Sequence, residues 1–308
     1  MSILSVKEIT QSIKAKALEL GFDDCGVSRA ELLGEHENSL KEWLNKNQGD
    51  LLHYMEKNTE LRLNPSKLFE EAQSVISLLS NYYPESKQKG KYLIAKYAYG
   101  SDYHKVIKSK LNHLVEFIST LKRDFNFRAF VDTAPLLEKA MAMKGGLGHI
   151  GKNNLLFTNS GGSFYFVSEI IVDFELEYKD ESRKDICGKC TLCLDACPTN
   201  ALYEPYHMDA TRCISALTIE SKVVIPEKFK SKLNNWIYGC DICQDVCPYN
   251  KKSKPHSNPS FHAVEGLLEM KDEDWENLTE ERFNKLFEKS SIKRVKYPKF
   301  YSNILANK

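Results

Sequence analysis

Eight of the nine cysteines fall between Cys187 and Cys247, and their spacing constrains the chain more than any other feature. Small secreted domains use cysteines as disulfide staples because their cores are too small to hold them folded. A chain of 308 residues can build a sizeable core. Its start, MSILSVKEITQSIKAKALELG, puts lysines where an export signal has its apolar segment. No apolar run approaches the roughly 20 residues of a membrane-spanning helix. A soluble cytoplasmic protein is expected, and in a reducing compartment clustered thiolates bind metal.

The spacing chooses the metal. Cys187-GK-Cys190-TL-Cys193-LDA-Cys197-Pro198 is C-x2-C-x2-C-x3-C-P, the bacterial ferredoxin run for a four-iron cluster. Cys240-DI-Cys243-QDV-Cys247-Pro248 is a shorter second copy, and Cys213 stands alone before it. In two-cluster ferredoxins the fourth cysteine of the run serves the other cluster. That rule assigns Cys187, Cys190, Cys193 and Cys247 to one 4Fe–4S cluster. Cys197, Cys213, Cys240 and Cys243 fall to the second. Structural zinc pairs two C-x2-C halves across a spacer, an arrangement this run does not match. Cys25, isolated in GFDDCGVSR, reads as a small buried hydrophobe. Two adjacent clusters form a wire for single electrons, so residues 1–180 must say where the electrons go.

In that region Ser5 and Glu8 form a capping box for a helix carrying Val6, Ile9, Ile13, Ala17 and Leu20 up to Gly21. Residues 38–46 and 51–57 are further helical candidates. SVISLLSNYY (74–83) reads as a buried strand, and a helix is expected after Asp102-Tyr103-His104. Phe127–Val131 reads as a strand ending at Asp132, followed by a helix from Leu136 to Lys144 between Pro135 and Gly145-Gly146. SFYFVSEIIVDF (163–174) is the strongest strand. The alternation predicts an α/β layered domain over 1–180, then a ferredoxin-like two-cluster module over 181–260 and a short helical tail over 261–308. Gly146-LGHI-Gly151 matches the dinucleotide fingerprint G-x-G-x-x-G, but a helix precedes it and strand and turn follow, the reverse of what that motif requires. Asp132, between a strand end and a helix start, reads either as a working carboxylate at the carboxyl end of a strand or as the cap of the next helix.

The motifs YAYGSDYHKVIKSKL, FVDTAPLLEKAMAMKGGLGHIGKNNLL, FYFVSEI, CGKCTLCLDACPTNAL, RCISALTIE and YGCDICQDVCPYN occur in this order. Together they resemble the epoxyqueuosine reductases over nearly the whole chain. The resemblance implies reduction of epoxyqueuosine to queuosine at the wobble position of tRNA, the last step of queuosine synthesis. It implies a base-off cobalamin held by the α/β domain and fed by the two clusters. It places the acid for the departing epoxide oxygen at Asp132, and cobalamin contacts at Arg62, Tyr97, Asp132, Lys152, Asn153, Ser168 and Asp241. An external electron donor is expected, and a monomer. Other readings are a corrinoid iron–sulfur reductase of a small molecule, resembling a reductive dehalogenase, and a ferredoxin-type electron carrier.

Many family members continue into a helical-repeat domain where this chain stops. With Lys+Arg 43 against Asp+Glu 42, the net charge is only +1, so any tRNA must meet a local basic patch. Residues 265–288 hold nine acidic and three basic side chains, whereas 289–308 hold six basic and no acidic ones. Candidate tRNA contacts are therefore Lys222, Lys293 and Arg294, with Lys228, Lys230, Lys232, Lys251, Lys252, Lys254, Lys296 and Lys299 as further basic positions.

Overall fold

The computed structural model describes residues 4–46, 49–179, 181 and 184–308. The expected boundary at residue 180 lies outside them. The strands are β1 (Asp24–Arg29), β2 (Ser74–Asn81), β3 (Leu93–Ile94), β4 (Phe127–Phe130), β5 (Gly148–Ile150), β6 (Leu156–Thr158), β7 (Tyr165–Val172) and β8 (Trp236–Tyr238). Four of them form the main sheet in the order β1-β2-β7-β4, and every neighbouring pair is antiparallel. The carboxyl-end rule, one of the two readings of Asp132, belongs to parallel sheets and therefore does not apply. β4 is instead an edge strand, exposed at Phe127 and Arg128, and it delivers Asp132 to the rim of the sheet.

Helices cover both faces. α1 (Val6–Glu19) begins at the expected Ser5–Glu8 capping box, and α2 spans Gly34–Asn45. The segment Asp50–Met55 is 3-10 helix rather than α-helix, and α3 is the short Thr59–Leu63. α4 (Tyr103–Leu121) starts at Tyr103, because Asp102 caps it by accepting from the His104 amide. α1 and α4 pack Ile13, Ala17, Ile107, Leu111 and Leu114 against Val27, Ile76, Leu78 and Ile170. α5 (Glu138–Lys144) packs Ala140 and Met141 against Val75 and Ile171 on the opposite face. β2 is buried along its whole length, as its unbroken apolar run predicts. Cys25 is 6% exposed within β1, where burial pushes its thiol up to about 12, so it packs as a hydrophobe.

α5 starts two residues later than expected, with Leu137 at its cap position and no side-chain cap. The capping reading of Asp132 is thereby excluded. β5 and β6 form a hairpin after α5, so G-L-G-H-I-G opens a strand and no dinucleotide turn exists. At Gly148 (φ +154) a Cβ would lie 2.0 Å from the Phe157 carbonyl, which explains that glycine by strand approach.

The cysteine region contributes α6 (Leu192–Asp195), α7 (Ile214–Ile219), α8 (Glu227–Lys230) and α9 (Ile242–Asp245). The tail adds α10 (Asp272–Glu276), α11 (Glu280–Leu286) and α12 (Lys296–Leu305). These segments do not hang separately. β3 pairs with β8, and Tyr92, Ile94 and Tyr99 share one core with Tyr238, Trp275, Phe283 and Phe300. Asn303, fully buried, donates to the carbonyls of Thr218 and Ile237 and ties α12 to α7 and β8. Among the described residues no helix is long and apolar enough to cross a membrane.

Candidate active site and cluster sites

The two cysteine runs fold alike. Each places a four-residue helix, α6 or α9, around its next-to-last cysteine, Cys193 or Cys243, and turns out of it at Cys-Pro. Cys187, Cys190, Cys193 and Cys247 line one cavity of about 60 Å³, walled by Phe157, Leu192 and Tyr249. Cys197, Cys213, Cys240 and Cys243 line another of about 350 Å³. These are the two sets into which the spacing divides the eight thiols.

The larger cysteine-lined cavity also receives Tyr97, Asn153, Asp241, Tyr54 and Glu220. Tyr54 and Glu220 in turn line a third cavity of about 730 Å³, which contains Arg62, Asp132, Glu138, Asn154 and Arg294. Cofactor and substrate pockets span roughly 300–1,000 Å³, so the adjoining pair offers a cleft for a large ligand. One end of it is thiol-lined and the other holds carboxylates.

Asp132 sits at φ +52, a left-handed backbone that favours Asn, Asp and Gly. Its amide donates to Glu138 Oε1 at 2.9 Å, and Tyr103 donates its hydroxyl to Asp132 Oδ2 at 2.5 Å. His104 Nε2 lies 3.7 Å from the same oxygen, and its Nδ1 is 2.8 Å from Asp102. The Tyr103 ring is stacked between His104 and Phe166, which fixes its hydroxyl. The Asp132 side chain is 61% exposed, but that area opens into the cavity and protein surrounds it. Burial pushes its carboxyl up, yet the contacts with His104 and Tyr103 outweigh burial and hold it below the usual aspartate range. Its neighbours lean the other way. The Asp102 hydrogen bond, seconded by Asp132, raises His104 to about 9, and burial beside Asp132 lifts Glu138 to about 8. The resting site is an ionised aspartate ringed by groups that carry protons at neutral pH.

The expected cobalamin contacts divide three ways. Tyr97, Asn153 and Asp241 line the thiol end of the cleft, and Arg62 and Asp132 line the carboxylate end. Arg62 is 7% exposed and donates to the carbonyls of Tyr54 and Lys57. Asn153 donates to the Cys243 carbonyl, and Asp241 is buried in an ion pair with Lys96 (3.1 Å). Lys152 does not reach the cleft. Its ammonium donates to the carbonyls of Gly188 (2.5 Å) and Cys190 (3.0 Å), clamping the first cysteine loop. Ser168, 1% exposed on β7, lines none of the three cavities, and its hydroxyl has no partner among the described residues. Lys222 and Lys293 are exposed, and Arg294 pairs with Glu220 at 2.6 Å on the cavity wall.

Sequence reasoning missed Lys96, Glu138 and Glu169. Glu138 in LLEKAMAM has the look of a solvated helix position. Glu169 did carry a signal: it is an acid inside the apolar run FVSEIIV, and such a residue is expensive to bury without purpose.

Residues 62–133 match the family described as epoxyqueuosine reductase QueG, DUF1730, and residues 186–250 match the 4Fe-4S double cluster binding domain. An epoxyqueuosine reductase from Cellulophaga algicola is 51% identical, with 95% of each chain covered. A solved epoxyqueuosine reductase bound to an epoxyqueuosine-modified tRNA-Tyr stem loop superposes with a TM-score of 0.88 at 28% identity, covering 98% of this chain and 81% of its own. The Bacillus subtilis enzyme, solved with its catalytic aspartate loop swung out of the active site, gives a TM-score of 0.89 at 26% identity, over 98% and 82% of the two chains.

Proposed function

The chain belongs to the epoxyqueuosine reductase family, and from that premise we propose that it reduces epoxyqueuosine in tRNA to queuosine in the cytoplasm. One observation carries the reading: a thiol-lined cavity that suits electron entry shares its Tyr54 and Glu220 walls with a second one holding Asp132 and its proton-bearing neighbours. Removing an epoxide oxygen as water consumes two electrons and two protons, and the cleft is supplied with both. Cys187, Cys190, Cys193 and Cys247 hold one 4Fe–4S cluster, and Cys197, Cys213, Cys240 and Cys243 hold the other. An external single-electron donor feeds them, and the enzyme works as a monomer.

The cleft also fits cobalamin. Its carboxylate end alone, at about 730 Å³, has the size of a cofactor pocket, and Asp241 reaches the cleft from between two cysteines of one cluster set. Arg62, Tyr97 and Asn153 of the 1–180 domain and Asp241 of the 181–260 module would hold the corrin between them. Lys152 and Ser168 act from outside the lining. Bound cobalamin supplies a cobalt centre that collects single electrons and delivers them to carbon. Asp132 donates to the departing oxygen, a role that general acids at such positions perform with rate gains of about 10²–10⁴. Tyr103 orients the carboxyl, and His104 balances its charge. Lys222, Lys293 and Arg294 meet tRNA phosphates.

The test uses tRNA from cells lacking their own reductase, incubated with reconstituted protein and a low-potential reductant. Mass analysis of the nucleosides should show epoxyqueuosine converted to queuosine. Persistent epoxyqueuosine with both clusters and cobalamin present would refute the reading. Neither a dehalogenase-like enzyme nor a plain electron carrier accounts for 51% identity over nearly the whole chain to an epoxyqueuosine reductase.

A further inference from the structure

We propose that Glu138 and Glu169 form a carboxyl pair that stores a proton behind Asp132 and reloads it during turnover, Glu138 being the group that hands the proton over. This rests on the reductase reading above. The reaction consumes two protons, and substrate filling the cleft separates Asp132 from bulk water between the two deliveries. In the resting site Asp132 is itself ionised, so it must gain a proton before it can act.

The geometry singles out the pair. Glu138 heads α5, lines the same cavity as Asp132, and accepts the Asp132 amide on Oε1 at 2.9 Å. A neutral carboxyl can accept that bond on one oxygen while keeping a proton on the other. Glu169 lies on β7 directly across from Phe130 of β4, two residues before Asp132. It is 0% exposed, and neither carboxyl oxygen has a hydrogen-bond partner among the described residues. Across the other edge its register partner is Ser77, also 0% exposed with an unpartnered hydroxyl. An ionised carboxylate so placed would face a desolvation cost that nothing repays, so the group stays neutral.

The charges around the pair agree. Burial first, then Glu138 and Asp132, raise Glu169 well above its ordinary value. Glu138, at about 8, is raised by burial and the Asp132 charge, which outweigh the lowering by the Asp132 amide, Lys139 and His104. Lys139 is committed to the Asn154 carbonyl at 2.8 Å, while Arg62 and Tyr103 complete the charged and titratable surroundings. The transfer balances: the Glu138 O–H breaks, an Asp132 O–H forms, and Glu138 is left as a carboxylate that regains a proton from solvent when the cleft empties. No electron moves in this step.

Infrared difference spectra taken against pH test the store without substrate. The protein, with clusters and cobalamin bound, should show carbonyl bands of protonated carboxyls at pH 7. One should disappear with a midpoint near pH 8 and be missing from Glu138→Gln; a second should persist at higher pH and be missing from Glu169→Gln. In turnover, the wild-type rate should fall as pH rises through about 8, because deprotonation empties the store. Glu138→Gln should lose at least tenfold in kcat with KM little changed, and should lose that alkaline limb. Glu169→Gln, a neutral replacement that cannot hold a proton, should lower kcat while leaving the midpoint of the limb near pH 8, and so covers the case of a Glu138 variant that folds poorly. Absence of both bands, or a Glu138→Gln enzyme with unaltered rate and profile while His104→Gln abolishes turnover, would overturn the proposal. Bands present in a protein that leaves epoxyqueuosine intact would instead count against the reductase reading.

Discussion

Replacing Lys152 by methionine separates two roles for that residue, because the structure ties its ammonium to a cysteine loop and not to the cleft. Lys152 is 8% exposed, and its two bonds reach the carbonyls of Gly188 and Cys190. Hydrogen bonds from a charged donor contribute about 1.5–3 kcal/mol each, a gross of about 3–6 kcal/mol. Holding the long side chain in one conformation costs about 2 kcal/mol. The variant should therefore open the Cys187–Cys190 loop more easily by roughly 1–4 kcal/mol, which at 1.4 kcal/mol per decade is roughly 5- to 700-fold. The assay follows iron released to a chelator from anaerobic holoprotein. Half of the iron, that of the cluster on Cys187, Cys190, Cys193 and Cys247, should leave faster by that factor, and the other half at the wild-type rate. Cobalamin affinity should change little. Unchanged iron release with lost cobalamin affinity would refute the clamp and make Lys152 a direct corrin contact.

Asp132→Asn should retain cobalamin and both clusters while turnover falls by about 10²–10⁴; unchanged single-turnover rates would remove Asp132 from the chemistry. His104, raised to about 9 by Asp102 and Asp132, stabilises the fold fully below its unfolded value of about 6.5, and this is lost as pH rises through 9. After discounting for solvent screening the contribution is about 1–2 kcal/mol. The gap in melting temperature between wild type and His104→Gln should thus be wide at pH 6 and close by pH 10. Lys222→Ala and Lys293→Ala should each weaken tRNA binding and lower the slope of log affinity against log salt by about 0.7–0.9 if the lysine contacts a phosphate. An unaltered slope would return that lysine to the solvated surface.

How far the sequence discloses the site depends on whether the chemistry is local. The cluster ligands are legible because the run C-x2-C-x2-C-x3-C-P is itself the geometric requirement, and both thiol sets converge in the structure as that spacing dictates. α1 is legible for the same reason, its capping box lying within four residues. Asp132 is a harder case. Its position before a helix suggests a cap, and only tertiary structure shows that α5 starts six residues later, at Glu138. The antiparallel order β1-β2-β7-β4 also escapes a pattern of alternating helices and strands, since strand periodicity carries no direction. That order has a functional consequence. It sets β4 at the edge, so Asp132 emerges beside the cysteine module, and pairs Phe130 with Glu169 in the neighbouring strand. A buried acid 37 positions along the chain (169 − 132) thereby comes to lie behind the ionised one. Spacing divides the eight thiols into two sets of four; only the sheet brings a buried acid behind Asp132.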